Sequence, residues 1–314
     1  MGKVTVVGGA GFLGRYLVKR LAQQGFQVCA AVRDPEAVGH LKPMGEVGQV
    51  QSIQANIRNA ASIARAVAGA DVVVNLTGVM FPGGAQSFQA VHVEGAATVA
   101  RAAHAAGAAR LIHVSALGAD SDANSKYARS KAAGEIAVRE AFPAATIVRP
   151  STIFGPEDKF FNLFARIASI LPVMPVLGGG HGRMQPVYVG DVAQAIAALS
   201  QDGAPTEGLY ELGGPQVLSL AELMAIVCAQ TGRKRRQVPL PFVFAKINAF
   251  CLKILPWPIL TMDQVEMLKV DNVVSGQHPG LAEIGVMATT LDAVLPRYLC
   301  RYRKAGRLPS IEQA

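Results

Sequence analysis

The 314-residue sequence predicts a doubly wound α/β fold on a parallel sheet, with a smaller C-terminal lobe. Three observations predict it. Apolar strand-like runs alternate with helix-length stretches from Lys3 to Arg149, and parallel strands require such crossovers. The first run, Val4 to Val7, breaks into Gly8, Gly9, Gly11 and Gly14 and then turns helix-like through Tyr16, Leu17, Leu21 and Ala22. Asp71 to Leu76 is a nearly continuous apolar run, as expected of a strand covered on both faces.

The glycine turn is the first element to carry chemistry. The amides that open a helix lack intrahelical partners and sit at the positive end of its dipole, so they suit a diphosphate. Glycine allows close backbone approach, and one position is expected to need a positive φ. Two frames fit: Gly9, Gly11 and Gly14 match G-x-G-x-x-G, while Gly8, Gly11 and Gly14 match G-x-x-G-x-x-G. A lone glycine pattern also suits an ordinary tight turn; the flanking strand and helix favour a dinucleotide.

Gln27 to Val32 reads as the second strand, followed by Arg33, Asp34 and Pro35. The residue at its tip faces the adenosine ribose in such folds. A guanidinium there favours a 2′-phosphate, so Arg33 points to NADP(H), while Asp34 leaves NAD(H) as the minority reading. Val50 to Gln54 is the third strand, leading to Asn56 and Ile57 at the expected adenine edge; Ile63 to Val67 carries a short helical face. Leu76, Thr77 and Gly78 close the fourth strand at the sheet edge where open α/β folds bind ligands. Gln86 to Ala106 is long enough and alanine-rich enough for one helix, stopped at Gly107, with His92 and His104 read as packed or exposed residues without metal-ligand spacing.

Arg110 to Ser115 and Ala145 to Arg149 are the fifth and sixth strands, separated by a helix from about Ser125 to Glu140. Beyond Pro150, prolines and glycines become frequent and elements shorten. Lys159 to Ile170, Asp191 to Ser200 and Ser219 to Gln230 read as helices, the last opened by a Ser219/Glu222 capping box. Met184 to Val189 and Gly208 to Leu212 read as strands. This divides the chain into a nucleotide-binding domain over 1–150 and a smaller lobe over 151–314, interleaved with late elements of the sheet.

Composition narrows the class. With 51% hydrophobic and 17% charged residues the chain is globular. Its net charge of +8 suits an anionic ligand, partner or membrane surface. No aromatic-and-basic platform accompanies that charge, which argues against nucleic acid. Cys29, Cys228, Cys251 and Cys300 are scattered without metal-ligand spacing, so no metal site is expected and reduced thiols are. The first strand follows Met1 at once, leaving no room for a secretory signal and predicting cytoplasmic residence.

Within the helix after strand five, Tyr127 and Lys131 stand four apart and share a face. An ammonium beside the phenol is expected to lower its pKa and fit Tyr127 for proton exchange with a carbonyl or alcohol. Lys131 is also placed to hold the nicotinamide ribose. This pair, the glycine turn and the phrases Val148-Arg-Pro150, Phe154-Gly-Pro156, Pro186-Val-Tyr-Val189 with Asp191-Val-Ala193, and Tyr210-Glu-Leu-Gly-Gly-Pro215 resemble the extended or atypical short-chain dehydrogenase/reductase superfamily, with its Rossmann-like fold. The resemblance implies nucleotide contacts from Gly8, Gly9, Gly11, Phe12, Leu13, Gly14, Arg33, Asn56, Ile57, Leu76, Thr77, Gly78, Val114, Tyr127, Lys131 and Pro150. One departure concerns catalysis: relatives usually carry a Ser or Thr just beyond the strand-five serine, whereas Ser115 is followed by Ala116, Leu117 and Gly118. Leu117 takes the place of the hydroxyl that would orient a substrate oxygen. Ser115 or Ser121 is left as a weak substitute.

A closer resemblance covers nearly the whole chain. Ala31-Val-Arg33, Gly39-His-Leu41, Gly45-Glu-Val-Gly-Gln49, His92-Val-Glu-Gly95, His113-Val-Ser-Ala116 and Asp271-Asn-Val-Val274 are similar to bacterial relatives of the 39 kDa-type (NDUFA9) accessory subunits of respiratory complex I. That family implies tightly held NADPH with a structural role, contacts with complex I subunits near the membrane, and residence at the cytoplasmic face of the inner membrane. The tail adds a hint of its own: Pro241 to Leu255 places Val243, Ile247, Phe250 and Ile254 at helical spacing, too interrupted to span a bilayer. Arg233 to Arg236 precede it, and Arg297, Arg301, Arg303, Lys304 and Arg307 follow. An apolar face between basic groups suits an anionic lipid surface or a partner subunit there, as it also suits a lobe-capping helix. The expected function is an NADPH-binding complex I accessory subunit with little turnover, the rival a working NAD(P)H-dependent reductase or epimerase acting on a sugar nucleotide or small carbonyl.

Overall fold

The computed structural model describes residues 2–205, 208–241 and 261–304. The chain forms two compact units: Met1–Pro150, Val189–Leu212 and Ser275–Met287 make the first, and Ser151–Tyr188, Gly213–Val274 and Ala288–Ala314 the second. The chain thus leaves the first unit after Pro150 and returns to it twice.

The first unit holds a seven-stranded, wholly parallel sheet. Its strands are β1 (Lys3–Val7), β2 (Gln27–Val32), β3 (Val50–Gln54), β4 (Val72–Asn75), β5 (Arg110–Val114), β6 (Thr146–Pro150) and, from the first return of the chain, Gly208–Leu212 on the edge beside β6. From its centre the sheet is built outward as β1, β2, β3 on one side and β4, β5, β6 on the other, so the chain order, not the strand direction, reverses between β1 and β4. The helices are α1 (Phe12–Gln23), α2 (Ala60–Val67), α3 (Glu94–Ala105) and α4 (Lys126–Ala141), with Val189–Leu199 lying against α1, where Arg20 Nη2 donates to Gln194 Oε1 at 3.3 Å.

Local sequence sets these boundaries. Leu13, Leu17 and Leu21 recur every fourth residue and are buried, fixing the inward face of α1. Asn59 caps α2 by accepting from Ser62 N at 3.0 Å, so that helix starts earlier than its apolar face suggested. Ser125 caps α4 through Ala128 N at 3.2 Å, which puts Tyr127 in the first turn. Ile63 and Val67 from α2, Val99 and Ala103 from α3 and Val138 from α4 meet Val7, Val73, Leu111 and Ile147 of the sheet in one core.

Two expectations about elements need correction. Gln86 to Ala106 is not one α-helix: residues Gln89–Val93 form a π-helical turn and the α-helix begins at Glu94. Met184 to Val189 is not one strand either. Arg183–Met184 pairs antiparallel with Leu218–Ser219, and Val187–Tyr188 pairs parallel with Ile153–Phe154. Pro186 stands at the break, where a ring nitrogen has no hydrogen for a ladder bond.

The second unit packs α5 (Phe160–Ile170) with helices Leu220–Gln230 and Leu291–Leu299 around Phe154, Phe161, Met174, Leu223 and Leu295. Buried Asp158 ties it together: Oδ1 accepts from Phe161 N at 2.6 Å, and Oδ2 from Tyr298 Oη at 2.6 Å and Gly155 N at 3.2 Å. The basic runs meet there, with Arg233 Nη2 donating to Tyr302 O at 3.4 Å and Arg303 Nε to Gln230 O at 3.0 Å. Most of the expected apolar helix Pro241 to Leu255, with Cys251 and Arg307, lies outside the described residues. Among the described residues no helix is long and apolar enough to cross a membrane.

Candidate functional site

The reversal between β1 and β4 opens a cleft at the carboxyl ends of the strands, the place where open α/β sheets hold ligands. It encloses about 300 Å³. Gly8, Ala10 and Gly11 form its floor; Arg33, Asn56, Ile57 and Arg58 one side; and Leu76, Thr77, Gly78, Val79, Gln86 and Val91 the other.

The floor is the glycine turn. Gly8 takes φ +87°, which L side chains rarely adopt, and its N–H still donates to Ala31 O at 3.0 Å. Gly14 sits buried in α1 where a Cβ would stand 2.5 Å from Gly9 O and 2.6 Å from Gly8 O. The helix N-terminus can therefore come down on the turn only with glycine at this position. Gly11 is the N-cap, and no side chain caps it, so the first amides of α1 are left for a ligand. Gly9 is buried against Ala30, Leu13 is buried, and Phe12 is half-buried with its ring edge-on to Tyr16 at 6.0 Å. These three position the turn and do not line the cleft.

Arg33 is exposed on the cleft wall, and the structure adds Arg58, also exposed, from the loop after β3. Asp34 is engaged elsewhere: Oδ1 accepts from Glu36 N at 3.1 Å and Ala37 N at 3.3 Å, opening the 3-10 turn that follows. Asn56 Oδ1 likewise accepts from Arg58 N at 3.1 Å. The wall thus presents two guanidiniums beside the uncapped N-terminus of α1.

The opposite wall is pegged by side chains. Thr77 N donates to Asn75 Oδ1 at 3.1 Å, so the Asn75 amide must donate to His113 Nδ1 at 3.1 Å. Val79 N donates to His92 Nε2 at 2.9 Å. That bond leaves the imidazole proton on Nδ1, which faces Ser130 Oγ at 2.8 Å; Ser130 in turn donates to Tyr127 O at 2.7 Å. Burial holds both histidines neutral, pushing His92 down to about 3 and His113 well below its ordinary value, with the Lys131 charge adding to both.

Tyr127 and Lys131 share the face of α4 as their spacing predicts. Lys131 is buried, its Nζ donates to Val114 O at 2.9 Å, and burial lowers its pKa to about 8 although Glu135 opposes this. The expectation of a lowered Tyr127 pKa is overturned: removal of the phenol from water raises it to about 12. Desolvation of the phenolate is the cause, and the neighbouring lysine does not lower the phenol as its spacing suggested. Ser115 Oγ is buried without a hydrogen-bond partner. Leu117 is buried too, its N–H donating to Pro150 O at 3.0 Å. Val114 and Pro150 therefore act through their carbonyls, and neither lines the cleft. Glu135 holds Arg149 in a two-pronged ion pair at 2.7 and 2.8 Å.

Sequence reasoning missed Arg58 and the tie at His92. Arg58 had a signal, lying next to the predicted adenine edge, whereas a histidine inside an alanine-rich helix had none. Among the described residues no group of three or more His, Cys, Asp or Glu side chains is arranged to hold a metal ion.

Comparison with known proteins gives the family. The model of the NAD dependent epimerase/dehydratase family matches residues 4–213. Over 314 aligned positions the chain is 39% identical to the mitochondrial NADH dehydrogenase (ubiquinone) 1 alpha subcomplex subunit 9 of Arabidopsis thaliana, covering 96% of this chain and 78% of that protein. It is 36% identical to the ceramide reductase of Caulobacter vibrioides over 244 positions, 76% of this chain and 74% of that one. A solved structure of the NADPH-dependent quinone oxidoreductase QOR2 of Escherichia coli, complexed with NADPH, superposes with a TM-score of 0.73 at 22% identity, covering 94% and 98% of the two chains. That likeness speaks to the fold.

Proposed function

The chain belongs to the NAD dependent epimerase/dehydratase family, and from that premise we propose that it is an NADPH-binding accessory subunit of respiratory complex I, its nucleotide held chiefly as architecture. The observation that carries this reading is similarity to the subunit 9 protein along nearly the whole chain, second unit included.

The cleft supports the nucleotide half of the proposal. The uncapped first turn of α1 and the close approach allowed by Gly14 suit a diphosphate. Arg33 and Arg58 suit the 2′-phosphate that separates NADPH from NADH, with Asp34 turned to its own backbone. Asn56 and Ile57 would flank the adenine, and Leu76 to Gly78 the middle of the nucleotide; Lys131 and Tyr127 would meet the nicotinamide end. When bound, the nicotinamide would supply hydride chemistry. The surrounding residues favour retention over turnover. Leu117 stands where a hydroxyl would orient a substrate oxygen and offers it no donor. A ligand bound only by the native state stabilises it by mass action.

Attachment is proposed at the cytoplasmic face of the inner membrane, through other subunits and through exposed basic residues of the second unit such as Arg236, Arg297 and Lys304, which suit anionic lipid. A second reading, a working reductase on a carbonyl substrate, is favoured by one observation: Tyr127, Lys131 and the unpartnered Ser115 hydroxyl are all retained. Purification from a native membrane extract tests the two. Co-migration with complex I and no oxidation of NADPH by a carbonyl panel supports the first. Turnover that disappears in Tyr127→Phe supports the second.

A further inference from the structure

We propose that His92 is a positioning residue that ties the Leu76–Val79 wall of the cleft to the face of α4 bearing Tyr127, so that nucleotide affinity depends on a side chain outside the cleft wall. The inference rests on the nucleotide-binding reading above and names a part of that site which motif and family resemblance leave unassigned.

The first ground is connectivity. Val79 N–H, the His92 ring, the Ser130 hydroxyl and the Tyr127 carbonyl form one chain of three hydrogen bonds at 2.9, 2.8 and 2.7 Å. It runs from the cleft wall to the first turn of α4 with every donor directed. The ring must accept at one nitrogen and donate at the other, which neutral imidazole does and aliphatic or phenyl side chains cannot. Losing it would strand a partly buried backbone N–H.

The second ground is packing. The His92 ring stacks on Phe88 at 5.3 Å and stands edge-on to Tyr127 at 5.5 Å, with Phe88 edge-on to Tyr127 at 6.0 Å. The residue lies in the π-helical turn, where the backbone widens by one residue, and such turns recur at functional sites. From α4, Gly134 presses so closely on His92 O that any Cβ there would collide with it. The imidazole is therefore held on both sides and from its own backbone, with no freedom to drift from Val79.

The test uses the full-length protein as His92→Leu, His92→Gln, Ser130→Ala and wild type. NADPH affinity is read by calorimetry, thermal midpoint without nucleotide by circular dichroism, and the imidazole tautomer by ¹⁵N NMR. The wild type should show His92 as the Nδ1–H tautomer. His92→Leu should weaken NADPH about tenfold. Ser130→Ala should weaken it by a smaller factor and lower the nucleotide-free midpoint, because the buried His92 Nδ1–H loses its acceptor. His92→Gln, whose amide can accept and donate, should restore affinity to within about twofold of wild type. Equal affinity in wild type, His92→Leu and Ser130→Ala, or failure of His92→Gln to rescue, would overturn the proposal while leaving nucleotide binding intact. An Nε2–H tautomer would overturn it even if His92→Leu did not fold. A wild-type protein that binds no nicotinamide nucleotide would remove the underlying reading and this role with it.

Discussion

Gly14 and Gly39 show how differently two glycines of one domain are constrained. A Cβ at Gly14 meets two backbone carbonyls at 2.5 and 2.6 Å, whereas one at exposed Gly39 meets nothing within 4 Å. Gly14→Ala should therefore lower the unfolding free energy by about 2 kcal/mol, as overpacked sites do, and abolish NADPH binding. Gly39→Ala should change neither, and denaturant titration with nucleotide calorimetry checks both. Arg33 and Arg58 make a second residue-scale prediction. Replacing either with Ser should weaken NADPH about tenfold, the worth of one hydrogen bond to a charged group, and leave NADH affinity unchanged. Equal loss for both nucleotides would mean that the guanidiniums do not read the 2′-phosphate. The place of Arg33 on the cleft wall was legible because it follows the tip of β2. Arg58 follows Asn56 by two residues, and only the fold shows that it reaches the same wall. The direction of the Tyr127 shift was not legible, since it depends on how completely the phenol leaves water.

Elements were most legible where one periodicity dominates. The crossovers up to Pro150 and the glycine turn follow from alternation and spacing, and the sheet forms as those patterns require. The misjudged elements are those shaped by a tertiary partner. Nothing in the alanine-rich run through His92 announces a π turn, because the widening goes with a histidine bound to Val79 and a glycine on α4. The strand expected across Gln185 and Val187 is broken at Pro186, whose ring nitrogen has no hydrogen for a ladder bond. Helix caps give a prediction at this scale. Ser125→Ala removes the acceptor of Ala128 N and should cost about 1 kcal/mol, loosening the turn that holds Tyr127. A measured change near zero would show that α4 is held by packing alone.

For the whole molecule, the charge states of the buried core carry a pH dependence. His92 and His113 stay neutral in the native protein, while in the unfolded chain each titrates near its ordinary 6.5. Above that value they contribute nothing to the slope. As pH falls below it, the unfolded chain takes up protons that the native state refuses, and stability declines by about 1.4 kcal/mol per pH unit through His92, with His113 acting in the same direction. For His92 the decline continues to its native value of about 3. Urea unfolding at about pH 7 and about pH 5 should differ by about 2 kcal/mol through His92, with His113 acting in the same direction, and His92→Gln should remove the His92 share. Lys131 acts at the other end: lowered to about 8 by burial, it makes the native state gain stability as pH rises from there toward 10.5. The paired basic runs of the second unit were legible as charge, but their meeting at Tyr302 and Gln230 depends on contacts between segments far apart in the chain.

On the proposed reading a nucleotide is retained as part of the native structure. Gentle purification, acid release and mass spectrometry of the supernatant measure this directly. The account predicts NADPH or NADP in amounts close to equimolar with the chain. Recovery of a sugar nucleotide, of NAD alone, or of no nucleotide would contradict it.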